Sequence, residues 1–125
     1  MIIKREKSLQ EEFSEVEPCE IPIDATGLTN DAICELAKNR FLEDGRSTGP
    51  KDYYCGITNN IEDNRARHNV PHLAVFQCKD AETAAEVEEM LGEYFDIGDP
   101  VYKGNGGKSN SVYVYLCYKS SGFKY

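Results

Sequence analysis

The segment 53–68 most constrains the fold of this chain, because it joins a strand to a short helix through a tight polar turn. Aromatic and β-branched residues predict a strand over 52–57. Gly56 lies near the end of that strand, and an Asn-rich turn follows it. Asn60 has a side chain suited to a helix N-cap, and the order of acids before bases over 60–68 suits the helix dipole. The segment therefore predicts a strand–turn–helix unit.

Two longer helices are predicted from apolar residues that recur at helical spacing. One covers 30–44 and begins after Thr29, and the other covers 81–94 and begins after Asp80. Both preceding residues are good N-caps. The side chains expected to face the core are Ile33, Leu36, Ala37 and Phe41 in the first helix, and Val87, Met90, Leu91 and Tyr94 in the second.

Two further strands complete the pattern. Residues 72–78 are almost wholly apolar, which predicts a central strand buried on both faces, and residues 111–119 alternate in the way of a strand. The order of elements predicts an α+β domain with a small mixed or antiparallel sheet flanked by helices. Residues 1–26 are acid-rich and weakly patterned, so we interpret them as an N-terminal arm or edge strand and 27–125 as a single domain.

The charge of the chain is negative and unevenly distributed. Its 125 residues include 14 basic and 22 acidic side chains, which gives a formal net charge of -8. Nucleic-acid-binding proteins are usually basic, because phosphate neutralisation supplies much of their affinity. Residues 80–99 contain eight acids and no base, whereas residues 101–125 contain four lysines and no acid. We therefore expect a surface of two signs.

The cysteines indicate the redox environment. They are odd in number and form no Cys-x-x-Cys pair: Cys19, Cys34, Cys55, Cys78 and Cys117. Reduced, buried thiols are the expected state, and a disulfide scaffold is not. No segment has the length of a membrane span, and the first residues lack the apolar core of a secretory signal. The sequence predicts a cytoplasmic protein without a membrane partner.

Residues of the strand–turn–helix unit match a known signature in their spacing: Tyr54, Gly56, Thr58, Asn60, Ile61 and His68. A Tyr-x-Gly strand leads through a Thr-x-Asn turn into a helix that carries Arg and His. This pattern resembles the second half of the GIY-YIG endonuclease signature. The resemblance implies a GIY-YIG-like fold and the hydrolysis of DNA phosphodiesters with a divalent metal.

Glu88 is the acid that helical geometry sets apart. With Val87 at the centre of the apolar stripe, Glu88 falls at the edge of the stripe beside Ala84 and Leu91, while the other glutamates fall on the back of the helix. In the GIY-YIG family, a helix of the pattern Ala-x-x-x-Glu-x-x-Leu supplies the metal-binding glutamate. The resemblance implies that Glu88 binds Mg²⁺ or Mn²⁺; Mg²⁺ often takes only one carboxylate and keeps several waters. The alternative is a boundary glutamate that binds no ligand.

The short helix carries Asn64, Arg65 and His68 on one face. The resemblance implies that Arg65 and His68 stabilise the phosphoryl charge and that Tyr54 orients the water or the phosphate. With Glu88, these residues form the candidate catalytic set. Asn64 stands where the family has its arginine, and Arg65 is rotated from that position by about 100°. The alternative for Arg65 and His68 is that they only complement the helix dipole.

The first tripeptide of the signature, Gly-Ile-Tyr, is not found before Tyr53. In the family, its tyrosine is thought to help activate the attacking water, so the expected general base is missing. We hypothesise that the strand 112–118, with Tyr113 or Tyr115, occupies the sheet position beside Gly56 that is left open.

Two function classes follow from these observations. The first is a metal-dependent DNA endonuclease with Mg²⁺ or Mn²⁺ as its cofactor and DNA as its partner. The second is a divergent GIY-YIG-like module that has lost catalysis and binds a protein or nucleic-acid partner. Glu88 and His68 favour the first class. The missing tyrosine, Asn64 and the negative charge favour the second.

Overall fold

The structure, a computed structural model, describes residues 17–46, 49–98 and 110–125, so most of the N-terminal arm lies outside the described residues. Within the described part, the helices and strands in chain order are β1 (Ile23–Asp24), α1 (Asn30–Glu43), β2 (Tyr53–Thr58), α2 (Ile61–His68), β3 (Ala74–Gln77), α3 (Ala81–Leu91) and β4 (Tyr113–Tyr118). A short 3₁₀ helix, Pro50–Asp52, leads into β2. The α+β class expected from the sequence is confirmed.

The four strands form one mixed sheet in the order β1-β3-β4-β2. β1 pairs with β3 in parallel, while β4 pairs antiparallel with both β3 and β2. β3 therefore lies inside the sheet, as its continuous apolar run predicts. Gly56 of β2 lies directly opposite Tyr115 of β4, so β4 occupies the sheet position beside Gly56, as hypothesised from the sequence.

The predicted N-caps begin all three helices. The side chains of Thr29, Asn60 and Asp80 each accept a hydrogen bond from the backbone N–H three residues later, at 2.8 to 3.1 Å. Each such cap satisfies one backbone donor that the first helical turn leaves unpaired. α2 ends at Asn69, whose left-handed backbone (φ 61°) is one that asparagine tolerates.

Two residues predicted to face the core are exposed instead. Leu36 is 38% exposed and Met90 is 39% exposed. α1 buries Cys34 in place of Leu36, because the centre of its buried stripe is rotated toward Cys34. α3 ends at Leu91, three residues before the predicted limit, and Tyr94 packs against the core from the turn that follows.

The helices cover opposite faces of the sheet. α1 and α3 pack on what we call the first face, where the sheet contributes Tyr53, Cys55, Ile57, Ala74, Phe76, Val114 and Leu116. α2 packs on the second face, where the sheet contributes Tyr54, Val75, Tyr115 and Cys117. Alternate residues of a strand point to opposite faces, which explains why neighbours such as Tyr53 and Tyr54 belong to different clusters.

The two edges of the sheet differ. β1 has only two residues, and Pro22 immediately before it has no backbone N–H. Along the outer edge of β2, Asp96 accepts a hydrogen bond from the N–H of Cys55 (2.8 Å) and donates one to the carbonyl of Tyr53 (2.9 Å). The edge of β2 is thus partly paired by the segment after α3.

The five cysteines are free thiols, and all of them except Cys19 are buried. Burial raises the pKa of Cys78 to about 11 and that of Cys117 to about 12. These thiols are therefore protonated at neutral pH and act as small apolar side chains. No helix in residues 17–46, 49–98 or 110–125 combines the length and the apolar character that crossing a membrane requires.

Candidate functional site

Tyr54, His68 and Tyr115 meet on the second face. The ring centroids of Tyr54 and His68 are 4.9 Å apart, and His68 Nε2 lies 2.8 Å from the hydroxyl oxygen of Tyr115. Tyr54 of β2 is opposite Cys117 and Tyr115 of β4 is opposite Gly56, so the two tyrosines are diagonal neighbours on the same face, and α2 brings His68 beside them from its last turn. Two of the four candidate residues, Tyr54 and His68, are therefore in contact.

The hydrogen bonds of His68 fix its tautomer. Nδ1 lies 2.6 Å from the carbonyl oxygen of Lys124, which can only accept, so Nδ1 carries the proton. Nε2 is then the acceptor of the hydrogen bond that the Tyr115 hydroxyl donates. Burial lowers the pKa of His68, which keeps the ring neutral at pH 7, as this pattern requires. Both nitrogens are engaged and the side chain is almost wholly buried.

Residues 120–125, which we call the strap, cover this group of side chains. The ring of Phe123 stacks on His68 with centroids 5.3 Å apart and planes within 6°. Lys124 donates its backbone N–H to the carbonyl of His68 at 2.9 Å and accepts from the His68 ring. His68 therefore holds the strap in place through both its ring and its backbone carbonyl.

A second buried histidine lies behind this group. His72 Nε2 is 2.9 Å from Oδ1 of Asn64, an acceptor, so His72 carries its proton on Nε2. Its ring centroid lies 5.0 Å from that of Tyr115. Within the described residues, His72 Nδ1 and Asn64 Nδ2 have no hydrogen-bond partner. Burial lowers the pKa of His72 to about 4, and the positive charge of Arg65 acts in the same direction.

The two tyrosines are held in the protonated form. Burial raises the pKa of Tyr54 to about 12, with the negative charge of Glu88 as the second cause. Burial also raises the pKa of Tyr115 far above its ordinary value. Their hydroxyl groups therefore act as hydrogen-bond donors at neutral pH, and neither is poised to become a phenolate base.

Within the described residues, the two arginines of α2 make no hydrogen bond to Tyr54, His68 or Tyr115, although their charges act on the site. Arg65 pairs with Glu62 one turn earlier, with Nη2 and Oε2 2.7 Å apart, in a partly exposed ion pair. Arg67 is exposed, and its positive charge only partly offsets the burial that raises the pKa of Tyr54 and of Tyr115. Asn64 faces inward and contacts His72.

Glu88 comes from α3, the helix on the first face. It is buried while Glu82, Glu86 and Glu89 on the same helix are exposed, as the helical geometry predicted. Its negative charge raises the pKa of both Cys55 and Tyr54. Glu88 is therefore electrostatically coupled to the site across β2, although it belongs to the opposite face.

The residues available for a metal ion are few. In the part of the chain that the structure describes, no three His, Cys, Asp or Glu side chains are grouped as ligands. Among the described residues, Glu88 and Asp44 have buried carboxylates, but Asp44 already binds the Tyr53 hydroxyl and Arg46, and the nitrogens of His68 are occupied by Tyr115 and Lys124. This set suits at most a cation that keeps most of its waters, as Mg²⁺ often does.

The closeness of the Tyr115 ring requires a residue without a Cβ atom at position 56. A Cβ atom added to Gly56 would overlap the phenol oxygen of Tyr115 and lie 2.7 Å from its Cζ. Glycine thus lets the Tyr115 ring lie flat across β2 and reach His68. The hypothesis that this strand brings a tyrosine beside Gly56 is supported by the register, and Tyr115 rather than Tyr113 is the opposed residue.

Sequence reasoning missed three members of the site: Phe123, Lys124 and His72. Phe123 and Lys124 follow the last strand and carry no periodic signal. Their contacts with His68 join residues more than 50 positions apart in the chain. His72 had a usable signal, because it opens a run of apolar residues that forms an interior strand, and a polar residue there needs a buried partner.

Comparison of the chain with protein-family models, with curated proteins and with solved structures gave no match.

Proposed function

We propose that this chain is a divergent GIY-YIG-like domain that binds a protein partner and does not hydrolyse DNA. The proposal combines the resemblance of the segment 53–68 with the chemistry around His68. In the family, this part of the fold is expected to face a phosphate. Here the same residues hold a segment of the protein's own chain.

One observation carries the proposal. His68 has both ring nitrogens engaged, by Tyr115 and by the Lys124 carbonyl, and Phe123 stacks on its ring. A histidine that stabilises phosphoryl charge needs a nitrogen directed at the substrate. His68 therefore holds the protein's own segment 123–124 and has no ring nitrogen left for a substrate.

Charge supports a protein partner over DNA. The formal net charge is -8. α1 and α3 together contain seven acids and two bases, whereas α2 contains two of each. Binding DNA with phosphate contacts requires a basic surface, because released counterions supply much of the affinity. The acidic α1 and α3 would therefore repel a polyanion.

A second candidate, the Mg²⁺- or Mn²⁺-dependent DNA endonuclease, has one specific observation in its favour. Glu88 is buried at the position of the family's metal ligand, and its charge reaches Tyr54. A divalent ion held by Glu88 would supply Lewis-acid stabilisation of the phosphate. Within the chain itself, Tyr54 would donate a hydrogen bond to the phosphate, and Arg65 would have to leave Glu62 to neutralise it.

A nuclease assay separates the two candidates. Supercoiled and single-stranded DNA are incubated with the protein and with Glu88→Ala, in Mg²⁺ and in Mn²⁺, and DNA binding is followed by fluorescence anisotropy at several salt concentrations. We expect equal, background cleavage by both proteins and no salt-dependent binding.

Glu88→Gln keeps the size of the side chain and removes only its charge, so it controls for misfolding of the alanine variant. Glu89→Gln, on the exposed back of the same helix, is the matched control. Metal-dependent cleavage that disappears in both Glu88 variants and persists in Glu89→Gln would establish the endonuclease and overturn the proposal.

A further inference from the structure

We propose that the surface around Tyr54, His68 and Asp96 is a binding site for an extended peptide of the form Phe-x-Tyr, and that residues 123–125 of this chain occupy it as an internal ligand. The inference rests on the proposed function and names the class of partner. A partner protein would offer a similar segment, and it would bind when the strap is displaced.

The strap contacts this surface as a bound peptide contacts a groove. The backbone of Lys124 both donates to and accepts from His68, at 2.9 and 2.6 Å, so the main chain is held at one position in both directions. Main-chain hydrogen bonds of this kind give affinity to extended peptides, and side-chain pockets give them specificity. The lysine side chain is exposed, which makes this position tolerant of other residues.

The residues on either side of Lys124 are the anchors. The ring of Phe123 lies flat on His68 and 5.6 Å from the ring of Tyr54, centroid to centroid. Tyr125 donates its hydroxyl to Oδ2 of Asp96 at 2.5 Å and contacts Tyr54 edge-on at 5.7 Å. Two aromatic anchors on either side of a backbone-bound residue define the Phe-x-Tyr pattern.

The polar end of the site is built for a phenol. Asp96 pairs with Lys119, with Oδ2 and Nζ 2.6 Å apart, and Nζ also lies 3.1 Å from the Tyr125 hydroxyl. A carboxylate that accepts and an ammonium that donates satisfy both roles of a hydroxyl group. A phenylalanine at this position would leave these groups without that partner, so the site favours tyrosine.

The strap is held more weakly than the sheet beneath it. Phe123 is half-buried, Gly122 and Lys124 are exposed, and Tyr125 is 64% exposed. Segments with little buried apolar surface and exposed hydrogen bonds open locally at lower free energy than the core. A peptide in trans can therefore compete with the strap while the sheet stays folded, although the tethered segment has the advantage of a high effective concentration.

The test uses the full chain with Phe123→Ala and a fluorescein-labelled peptide, Ser-Gly-Phe-Lys-Tyr. The variant loses the ring that fills the site, so the phenylalanine of the peptide can take its place. We expect the peptide to bind the variant about tenfold or more tightly than it binds the unmodified protein. A peptide with alanine in place of phenylalanine should bind neither.

Two further variants accompany this test. Leu42→Ala removes an exposed apolar side chain from α1 and should leave peptide binding as in the unmodified protein. Tyr125→Ala loosens the strap at a residue that is 64% exposed, so it tests the same idea in a variant that loses no buried side chain. NMR shifts on binding are expected at His68 and Asp96.

Absence of binding to both strap variants would overturn the inference, as would binding that does not depend on the phenylalanine of the peptide. Either result would leave the proposed lack of hydrolysis intact. Cleavage of DNA in the nuclease assay would instead overturn the proposed function whatever the peptide does, so the two failures are distinguishable.

Discussion

On the first face of the sheet, α1 and α3 bury aliphatic and aromatic side chains such as Ile33, Val87 and Phe95, which need no hydrogen bonds in order to pack. On the second face, α2 and the strap bury imidazole and phenol groups that depend on one another for partners. Burial of apolar surface is favourable wherever it occurs, whereas a buried polar group is favourable only with its partner in place.

The two faces are therefore expected to respond differently to substitutions. The first face can tolerate small changes in side-chain shape but loses stability with each lost methylene. The second face holds two polar atoms without partners, His72 Nδ1 and Asn64 Nδ2, within the described residues. Such groups are uncommon in protein interiors.

The largest expected effect is the loss of unfolding free energy when an aromatic ring is removed from the first face. Removal of a ring from the second face provides the comparison. Phe95 is fully buried among Phe41, Tyr53 and Tyr94, so Phe95→Ala should cost about 3–5 kcal/mol of unfolding free energy. Phe123→Ala, on the half-buried strap, should cost less than half as much. Urea unfolding followed by circular dichroism measures both, and equal losses would remove the distinction between the faces.

A pH effect that His72 alone contributes should follow from the second face. Burial lowers the pKa of His72 from 6.5 to about 4, and Arg65 and His68 act in the same direction while Glu62 opposes them. The unfolded chain therefore takes up a proton at a higher pH than the folded protein. Stability that is present above pH 6.5 is lost as the pH falls toward 4, by about 2 kcal/mol between pH 7 and 5.

His72→Gln provides the comparison for this prediction. The variant lacks the titrating group, so its unfolding free energy should fall less over the same pH range, measured by urea unfolding at each pH. Since carboxylates and His68 titrate in both proteins, the difference between the two slopes isolates His72. Parallel slopes would mean that His72 is not held in the neutral form.

A further effect, of about the same size as that of His72, tests the close approach of β2 and β4. Gly56→Ala places a methyl group against the Tyr115 ring, which the bond to His68 holds in place, so a loss of about 1–3 kcal/mol is expected. Gly27→Ala has open space around its Cβ and should be nearly neutral. Thermal melts compare the two, and a melting temperature for Gly56→Ala as high as that of Gly27→Ala would contradict the predicted overlap.

The sequence predicted those parts of the fold that depend on local interactions. The N-caps Thr29, Asn60 and Asp80 act within four residues of chain, and each begins its helix as expected. The burial of Glu88 among exposed glutamates also follows from helical periodicity. The exposure of Leu36 did not follow, because periodicity gives the existence of an apolar stripe but not its exact rotation against a neighbouring helix.

The site was predictable only in part, for a similar reason. Tyr54 and His68 were found through their spacing in a local segment. The contacts of Phe123 and Tyr125 with that segment depend on where the chain returns after β4, which local patterns do not encode. The inward orientation of Asn64 depends on His72, a residue beyond the end of its own helix.

The edges of the sheet bear on the behaviour of this protein at high concentration. Exposed strand edges are templates for the association of one molecule with another. β1 is two residues long and follows Pro22, which cannot donate to a neighbouring strand, and Asp96 already uses the N–H of Cys55 on the edge of β2. Despite the exposed Ile21 and Ile23, we expect this domain to resist edge-to-edge aggregation while it remains folded.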